Sequence, residues 1–133
     1  MDAEAAAHNW IDGWSRGWPT KDAELIASLY TEDAVYRSHP FKEPHVGSAG
    51  AHDYAAQAFL EETLVRCWFG EPVAMANRAA VEYSAILRTI DGKDRTLAGT
   101  TMLRFAPDGR VAEHREYWDV QDGASEPPEG WGR

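Results

Sequence analysis

The sequence has few of the features that mark secreted, membrane-bound or nucleic-acid-binding proteins. It contains a single cysteine, Cys67, which excludes an internal disulfide and is typical of a reducing compartment. Basic residues number 13 against 22 acidic ones, giving a formal net charge of −9, and no basic run offsets that balance. An acidic surface repels phosphate backbones and anionic lipids. We therefore expect neither nucleic acid nor a membrane as a partner.

Signals for export and for cofactor binding are also missing. Residues 1–10 lack the basic and apolar regions of a signal peptide, and no apolar run approaches the ~20 residues that span a bilayer. There is no G-x-G-x-x-G or P-loop, so nucleotide binding has no support. One G-x-S-x-G match, Gly13–Gly17, lies within a segment that reads as helix and does not follow a strand, so serine hydrolase chemistry has no support either. The histidines show no metal-binding spacing such as H-E-x-x-H. These absences predict a cytoplasmic protein with no cofactor and no metal.

Aromatic residues, in contrast, are abundant. The chain of 133 residues holds six Trp, five Tyr and four Phe. Aromatic side chains carry a large apolar area and line pockets as well as cores. The length suits one domain, which we place at residues 1–121, followed by an irregular tail at 122–133 that is rich in Pro, Gly and Glu.

Three helices are predicted in the first half of the chain. Between residues 3 and 18, alanines and tryptophans recur every three or four positions, which places them on one helix face. Gly17 is expected to end this helix, and Thr20 to cap a short second one. A third helix is expected from about Ala51 to Arg66.

The predicted strands surround and follow the third helix. They cover Ala34–His39, Cys67–Met75, Arg78–Ile90, Arg95–Phe105 and Val111–Val120. Asp91–Gly92 is a strong hairpin signal between two of them. Helices followed by a meander of strands predict an α+β fold, in which a curved antiparallel sheet packs against three helices and leaves a conical cavity.

Two segments carry a resemblance to a known family. "LYTEDAVYRSHPF" and "IDGKDRTLAGTTMLRFAPDGRVAEHREYW" resemble the NTF2-like superfamily, and especially its SnoaL-like and ketosteroid-isomerase-like members, over roughly residues 8–121. The resemblance implies a cone-shaped fold and a homodimer formed through the outer sheet face. On the last strand that face would carry Glu113, Arg115, Tyr117 and Asp119. It leaves the function open, because this fold hosts isomerases, hydrolases, cyclases, dehydratases and non-catalytic binders.

The functional residues of two related enzyme groups are not reproduced here. At the positions of the ketosteroid isomerase base, tyrosine donor and protonated aspartate, this sequence has His39, Trp14 and Thr101. The resemblance therefore argues against steroid isomerisation by that mechanism. Limonene-epoxide-hydrolase-like members use an inward Asp–Arg–Asp set, which cannot be assembled because Asp119 lies on the outer face and Asp33 precedes its strand.

The candidate acid/base groups are two histidines with neighbouring carboxylates. Alternation along the last strand places His114 and Glu116 on one face, and the register implied by the resemblance turns that face inward. We expect His39 to be the base, His114 a second proton carrier, and Glu82 or Glu116 an orienting carboxylate, because histidine titrates near neutral pH. The remaining candidates are ligand-binding residues: Trp14, Arg37, Tyr54, Phe59, Trp68, Ser84, Thr101 and Trp118.

The leading hypothesis is a small-molecule-binding protein with an apolar pocket. It would perform general acid/base catalysis, of isomerase, cyclase or hydratase/lyase type, on a small apolar or aromatic ligand. The alternatives are a non-catalytic ligand-binding or dimeric interaction module, and a structural dimer without a ligand. A hydrogen-bonded His–Glu pair beside open volume favours the enzyme, whereas a cone filled by side chains favours the alternatives.

Overall fold

The computed structural model describes all 133 residues and contains three helices and seven strands. The elements are α1 (Ala3–Gly17), α2 (Ala23–Ser28), β1 (Tyr30–Arg37), β2 (His45–Val46), α3 (Gly47–Glu61), β3 (Glu62–Phe69), β4 (Val73–Met75), β5 (Arg78–Thr89), β6 (Asp94–Phe105) and β7 (Val111–Asp122). The predicted α+β class is confirmed. None of the three helices combines the length and apolar character that a transmembrane helix needs.

The seven strands form one mixed sheet in the order β2–β1–β7–β6–β5–β3, and β4 pairs with the start of β5. Strands β3, β5, β6 and β7 form the predicted antiparallel meander. The prediction of a wholly antiparallel sheet needs one correction, because β1 lies parallel to β7. Parallel neighbours require a long connection, and here α3 and the whole meander lie between the two strands.

The two N-terminal helices begin at aspartates. The Asp2 carboxylate accepts a hydrogen bond from the Ala5 N–H at 2.8 Å, and Asp22 accepts one from the Leu25 N–H at 3.0 Å. Both satisfy backbone donors that the first helical turn leaves free. Thr20, which we predicted as the cap of α2, instead donates to the Arg16 carbonyl at the end of α1, at 2.7 Å.

Helix α3 begins and ends earlier than predicted. It starts at Gly47, where φ is +77° and a Cβ atom would collide with the Glu32 carbonyl oxygen, so the residue must be glycine. It ends at Glu61 and passes directly into β3. No glycine or proline marks this boundary, so the sequence predicted helix as far as Arg66.

The helices pack on one surface of the sheet, which we call the inner face. The core cluster there has 18 buried residues, with Trp10 and Trp14 from α1, Tyr30 and Tyr36 from β1, and Phe59 from α3 among the largest. Each of these five side chains is at most 8% exposed. A small domain thus buries most of its aromatic area around one concave wall, as expected from the composition.

The tail, residues 123–133, packs against the opposite, outer face of the sheet. The Ser125 N–H donates to Thr96 Oγ1 at 3.0 Å, and Arg66 forms an ion pair with Glu126 at 2.6 Å. The tail therefore shields Thr96 and Ser84, which are only 7% and 3% exposed although they lie on this face. The homodimer through the outer face stays a prediction, and the part still open to it lies around Tyr117.

Candidate functional site

A cavity of about 400 Å³ lies between the inner face and the helices. Of its 20 lining residues, 13 are hydrophobic, a composition typical of small-molecule sites. Its aromatic wall comprises Trp10, Trp14, Trp18, Tyr36, Tyr54, Phe59, Phe69, Tyr83 and Trp118. The aromatic side chains therefore line the cone and leave open volume inside it.

One carboxylate, Glu116, lines the aromatic interior of this cavity. Its side chain is 14% exposed, and its Oε1 accepts hydrogen bonds from the His114 Nε2 at 2.9 Å and the Tyr36 hydroxyl at 3.3 Å. The Tyr36 ring also stacks on the His114 imidazole, with centroids 3.8 Å apart and planes 15° apart. Both donors thus act on the same oxygen and fix the orientation of the carboxylate.

The buried Tyr30 hydroxyl has three hydrogen-bond partners and fixes the tautomer of His114. The hydroxyl oxygen accepts from the Trp10 and Trp14 indole N–H groups at 3.1 and 3.3 Å, and the hydroxyl lies 2.8 Å from His114 Nδ1. Indoles only donate, so the single hydroxyl proton of Tyr30 points to Nδ1. Nδ1 is then an acceptor, and Nε2 carries the proton that it donates to Glu116.

The second oxygen of Glu116, Oε2, accepts no hydrogen bond from the protein and stays accessible from the cavity. A carboxylate with one oxygen held and the other free in an apolar site can accept or return a proton. Burial among aromatic rings also makes its interactions stronger than they would be in water. The site therefore has the chemical parts of a general acid/base.

Charged residues gather at the other end of the cavity. Arg95 on β6 pairs with both carboxylate oxygens of Glu62 at the start of β3, with the Nη2–Oε1 contact at 2.6 Å. Glu61, Gln57 and Lys42 are exposed lining residues, so this polar end is the mouth. A bidentate arginine–carboxylate pair holds a fixed geometry and stiffens this rim.

Comparison with known proteins decides the family. A family model described as a SnoaL-like domain matches residues 7–114. The chain belongs to the SnoaL-like family. No curated protein sequence matches the chain. The matched segment ends two residues before Glu116.

Three solved structures resemble the SnoaL-like fold of this chain. SalBIII, described as an epoxide hydrolase/cyclase-like enzyme in pyran ring formation in the polyether salinomycin, has a TM-score of 0.79 at 18% identity over 92% of this chain and 100% of its own. A putative isomerase from Bacillus subtilis has a TM-score of 0.75 at 21% identity, covering 90% of both chains. An M. tuberculosis LEH-like epoxide hydrolase has a TM-score of 0.71 at 14% identity, covering 87% and 84%. At these identities the likeness shows the fold alone.

The structure brings several predicted site residues to the cavity of this SnoaL-like domain. They are Trp14, His39, Tyr54, Phe59, Glu116 and Trp118. The predicted His–Glu pair exists, but His114 is fully buried behind Glu116 and does not line the cavity. Thr101 is likewise fully buried within the sheet.

Four predicted site residues lie away from the cavity. Tyr83 and Leu87 line it from β5, so Glu82 and Ser84 lie on the outer face. Trp68 pairs with Ser84 across β3 and β5, which places it on that face too, where the Arg66 guanidinium covers it at 4.6 Å. These corrections share one cause: side chains alternate, so a register error of one residue turns a whole strand over.

The same error affects β1. Tyr36 pairs with His114 and lines the cavity, so Arg37 is turned away from it. His39 reaches the cavity nonetheless, because the strand ends at Arg37 and the chain turns before Pro40. Its ring contacts Trp118 edge-on, with centroids 5.0 Å apart.

Sequence reasoning missed seven polar residues that line the cavity: Tyr36, Lys42, Gln57, Glu61, Glu62, Tyr83 and Arg95. Tyr83 and Arg95 lie on the two strands joined by the Asp91–Gly92 turn. The correct face of β5 would have identified Tyr83, and alternation along β6 would have identified Arg95. Glu62 had been assigned to a helix. For Lys42, which sits in a loop, the sequence carries no signal.

A cluster next to the cavity joins two histidines through one serine. The Ser38 hydroxyl lies 3.0 Å from His39 Nδ1 and 3.1 Å from His45 Nε2, and together they close the loop between β1 and β2. Burial lowers the pKa of both histidines. The charge of Lys42 lowers the pKa of His39 further, and the charge of His39 lowers that of His45. The negative charge of Glu116 opposes the shift at both residues. Neither histidine joins a group of three or more His, Cys, Asp or Glu side chains arranged to hold a metal.

We expect this cluster to make the protein less stable in mild acid. A histidine whose pKa is lower in the folded than in the unfolded state costs nothing while both states are neutral, and opposes folding once pH falls through the unfolded value near 6.5. Guanidinium unfolding at pH about 7.5 and about 5 measures the loss. The double variant His39→Gln/His45→Gln should lose less stability over that interval. An equal loss in both proteins would show that other groups cause the acid sensitivity.

Proposed function

We propose that this SnoaL-like protein binds a small apolar or aromatic ligand and transfers a proton to or from it, with Glu116 as the acid/base group. The observation that carries the proposal is the asymmetry of the carboxylate. His114 and Tyr36 hold Oε1, while Oε2 is free toward an apolar cavity of about 400 Å³. A hydrogen-bonded His–Glu pair beside open volume is the arrangement that favours an enzyme over a filled structural cone.

The roles of the two groups are reversed relative to the sequence-based hypothesis. His114 cannot reach a ligand, since it is fully buried, and its Nε2–H orients Glu116. Glu116 takes the role of the proton carrier, and His114 becomes a positioning residue. Such a second group, which orients the first, is a recurrent arrangement in acid/base sites.

His39 is the second group that faces the ligand. Its Nδ1 is engaged by the Ser38 hydroxyl, and its ring lies against Trp118 in the cavity wall. Because burial lowers its pKa, His39 is neutral at neutral pH and can accept a proton. Glu116 and His39 together allow one group to take a proton while the other returns one, which isomerisation, ring closure and hydration all require.

The names of the structural neighbours are compatible with this chemistry. An epoxide hydrolase/cyclase-like enzyme, a putative isomerase and an LEH-like epoxide hydrolase share the fold. An inward Asp–Arg–Asp set is not formed here, since Asp119 lies on the outer face with Ala98 as its partner. We therefore assign proton transfer, and not epoxide opening, to Glu116.

The test has a binding step and a chemical step. A thermal-shift screen with planar cyclic ketones, phenols and polycyclic aromatics identifies ligands, because a ligand at a hundredfold excess over its Kd stabilises by ~2.7 kcal/mol. Proton NMR in D₂O then follows exchange of the acidic C–H groups of each bound ketone. We expect protein-dependent exchange. Ligands that occupy the cavity without any exchange would instead identify a non-catalytic binder.

A further inference from the structure

Glu116 carries a negative charge that no cation of the protein balances. Its Oε1 accepts hydrogen bonds from His114 Nε2 and the Tyr36 hydroxyl, and such bonds favour the ionised form of a carboxyl group. Its only ion-pair partner is His114, at 2.9 Å. That imidazole is neutral, because its Nδ1 accepts a hydrogen bond from the Tyr30 hydroxyl. A carboxylate that is only 14% exposed therefore lacks a counter-ion, whereas charges in protein interiors are ordinarily paired.

The other groups that line the cavity leave this charge uncompensated. Arg95 is held by Glu62, with the Nη2–Oε1 contact at 2.6 Å, and Lys42 is exposed at the mouth. Burial lowers the pKa of His39, which is therefore neutral at neutral pH. No group of three or more His, Cys, Asp or Glu side chains is arranged to hold a metal ion. A ligand is the remaining source of positive charge.

The residues around Glu116 are aromatic. Trp118 follows it by two positions on β7, so the two side chains lie on the same face, about 7 Å apart along the strand. Tyr36 donates to Glu116, and Tyr54 contacts Tyr36 with ring centroids 5.2 Å apart. Tyr54 and Trp118 both line the cavity and are only partly buried. The face of an aromatic ring attracts a cation within about 6 Å of its centroid, and more strongly where water is excluded.

We propose that the cavity binds an organic cation, a tertiary or quaternary amine on a hydrocarbon frame, with Glu116 as its counter-ion and Tyr54 and Trp118 as aromatic walls. The proposal rests on the proposed function in one respect, that the cavity takes a small ligand, and it adds a positive charge to that ligand. The cationic group lies beside Oε2, which accepts no hydrogen bond from the protein. The formal net charge of −9 attracts such a ligand to the protein as a whole.

The experiment compares two probes of the same shape, phenyltrimethylammonium and tert-butylbenzene, by titration of tryptophan fluorescence. They differ in a positive nitrogen against a neutral carbon, and neither carries an acidic proton, so binding is measured apart from proton transfer. We expect Glu116→Gln to weaken binding of the cation about ten- to a hundredfold, the effect of removing one partner of a partly buried charge pair. Neutral ligands, including tert-butylbenzene, should bind this variant within about twofold of the wild type, because glutamine keeps the shape of the wall.

The control for net charge is Glu82→Gln, which removes the same charge from the exposed outer face. It should leave both affinities within about twofold of the wild type. Three results would overturn the proposal: a loss for the cation in Glu116→Gln that is absent or is matched by tert-butylbenzene, an equal loss in Glu82→Gln, or no binding of the cation to the wild type at millimolar concentration.

A measurement on the wild type needs no variant. The N-methyl protons of the bound cation should show nuclear Overhauser contacts to the indole ring of Trp118, and contacts confined to Lys42 and Glu61 at the mouth would contradict the proposal. The proposed proton transfer fails separately. Cation binding that depends on Glu116, without exchange of any ketone, would leave the cation site assigned and remove the acid/base role of this carboxylate.

Discussion

Tyr30→Phe is expected to lower the free energy of unfolding by about 3 kcal/mol, although it removes only one oxygen atom. The hydroxyl of Tyr30 serves the Trp10 and Trp14 indoles and His114 Nδ1 at 3.1, 3.3 and 2.8 Å. Its loss leaves these three polar groups unpaired among side chains that are at most 8% exposed. Each buried unpaired group costs roughly 1–3 kcal/mol, and small shifts of the rings recover part of that sum.

Urea unfolding followed by circular dichroism measures this loss. In a domain of this size it corresponds to a fall in melting temperature of roughly 10 °C. Tyr117→Phe is the matched control, because Tyr117 is 46% exposed on the outer face, where such changes stay within about 0.5 kcal/mol. Equal stability of the two variants would mean that the hydrogen bonds of the Tyr30 hydroxyl do not stabilise the fold.

The faces of β6 and β7 could be predicted because their turns define the register. Asp91–Gly92 and Gly109 mark the two hairpins, and Gly92 and Gly109 have φ of +84° and +88°, values that favour glycine. With both ends fixed, alternation along β7 correctly placed His114, Glu116 and Trp118 on the inner face. Local turn chemistry and period-two alternation were sufficient for these two strands.

Strand β5 could not be assigned in the same way because both of its faces are buried. Ser84 and Ile86 on the outer face are as inaccessible as Tyr83 and Leu87 on the inner one. Ser84 lies beneath the tail, so the usual contrast between buried and exposed positions disappears. The sequence predicts an irregular tail at 122–133, but the packing of that tail is a long-range property that alternation cannot reveal.

The roles of His114 and Glu116 were also outside the reach of the sequence. Alternation placed both on one face, and their chemistry favoured histidine as the group that meets the ligand. Which of them faces the cavity depends on the distance from the sheet centre and on the side chains packed above. Trp10, Tyr30 and Tyr36 surround His114 and bury it, while Glu116 lies one pleat closer to the mouth.

Glu116→Gln is expected to reduce ketone C–H exchange in D₂O by roughly 10²- to 10⁴-fold, the range that general acid/base groups contribute. Glutamine has the same shape, and its carbonyl oxygen can still accept from the His114 Nε2 and the Tyr36 hydroxyl. It cannot take up a proton at neutral pH. The fold and ligand affinity should therefore persist while the exchange rate, measured by NMR at equal protein concentration, falls.

Glu82→Gln is the control for charge and for register. Glu82 is exposed on the outer face of β5, next to Tyr83 in sequence, and its substitution removes the same unit of charge from the acidic surface. Its exchange rate should stay within about twofold of the wild type, as expected for a surface substitution away from the site. If the two variants lost exchange equally, the effect would come from net charge. If Glu116→Gln kept full exchange, the proton carrier would not be Glu116. His39 would then remain as the ligand-facing base, and His114 would orient a carboxylate with no part in proton transfer.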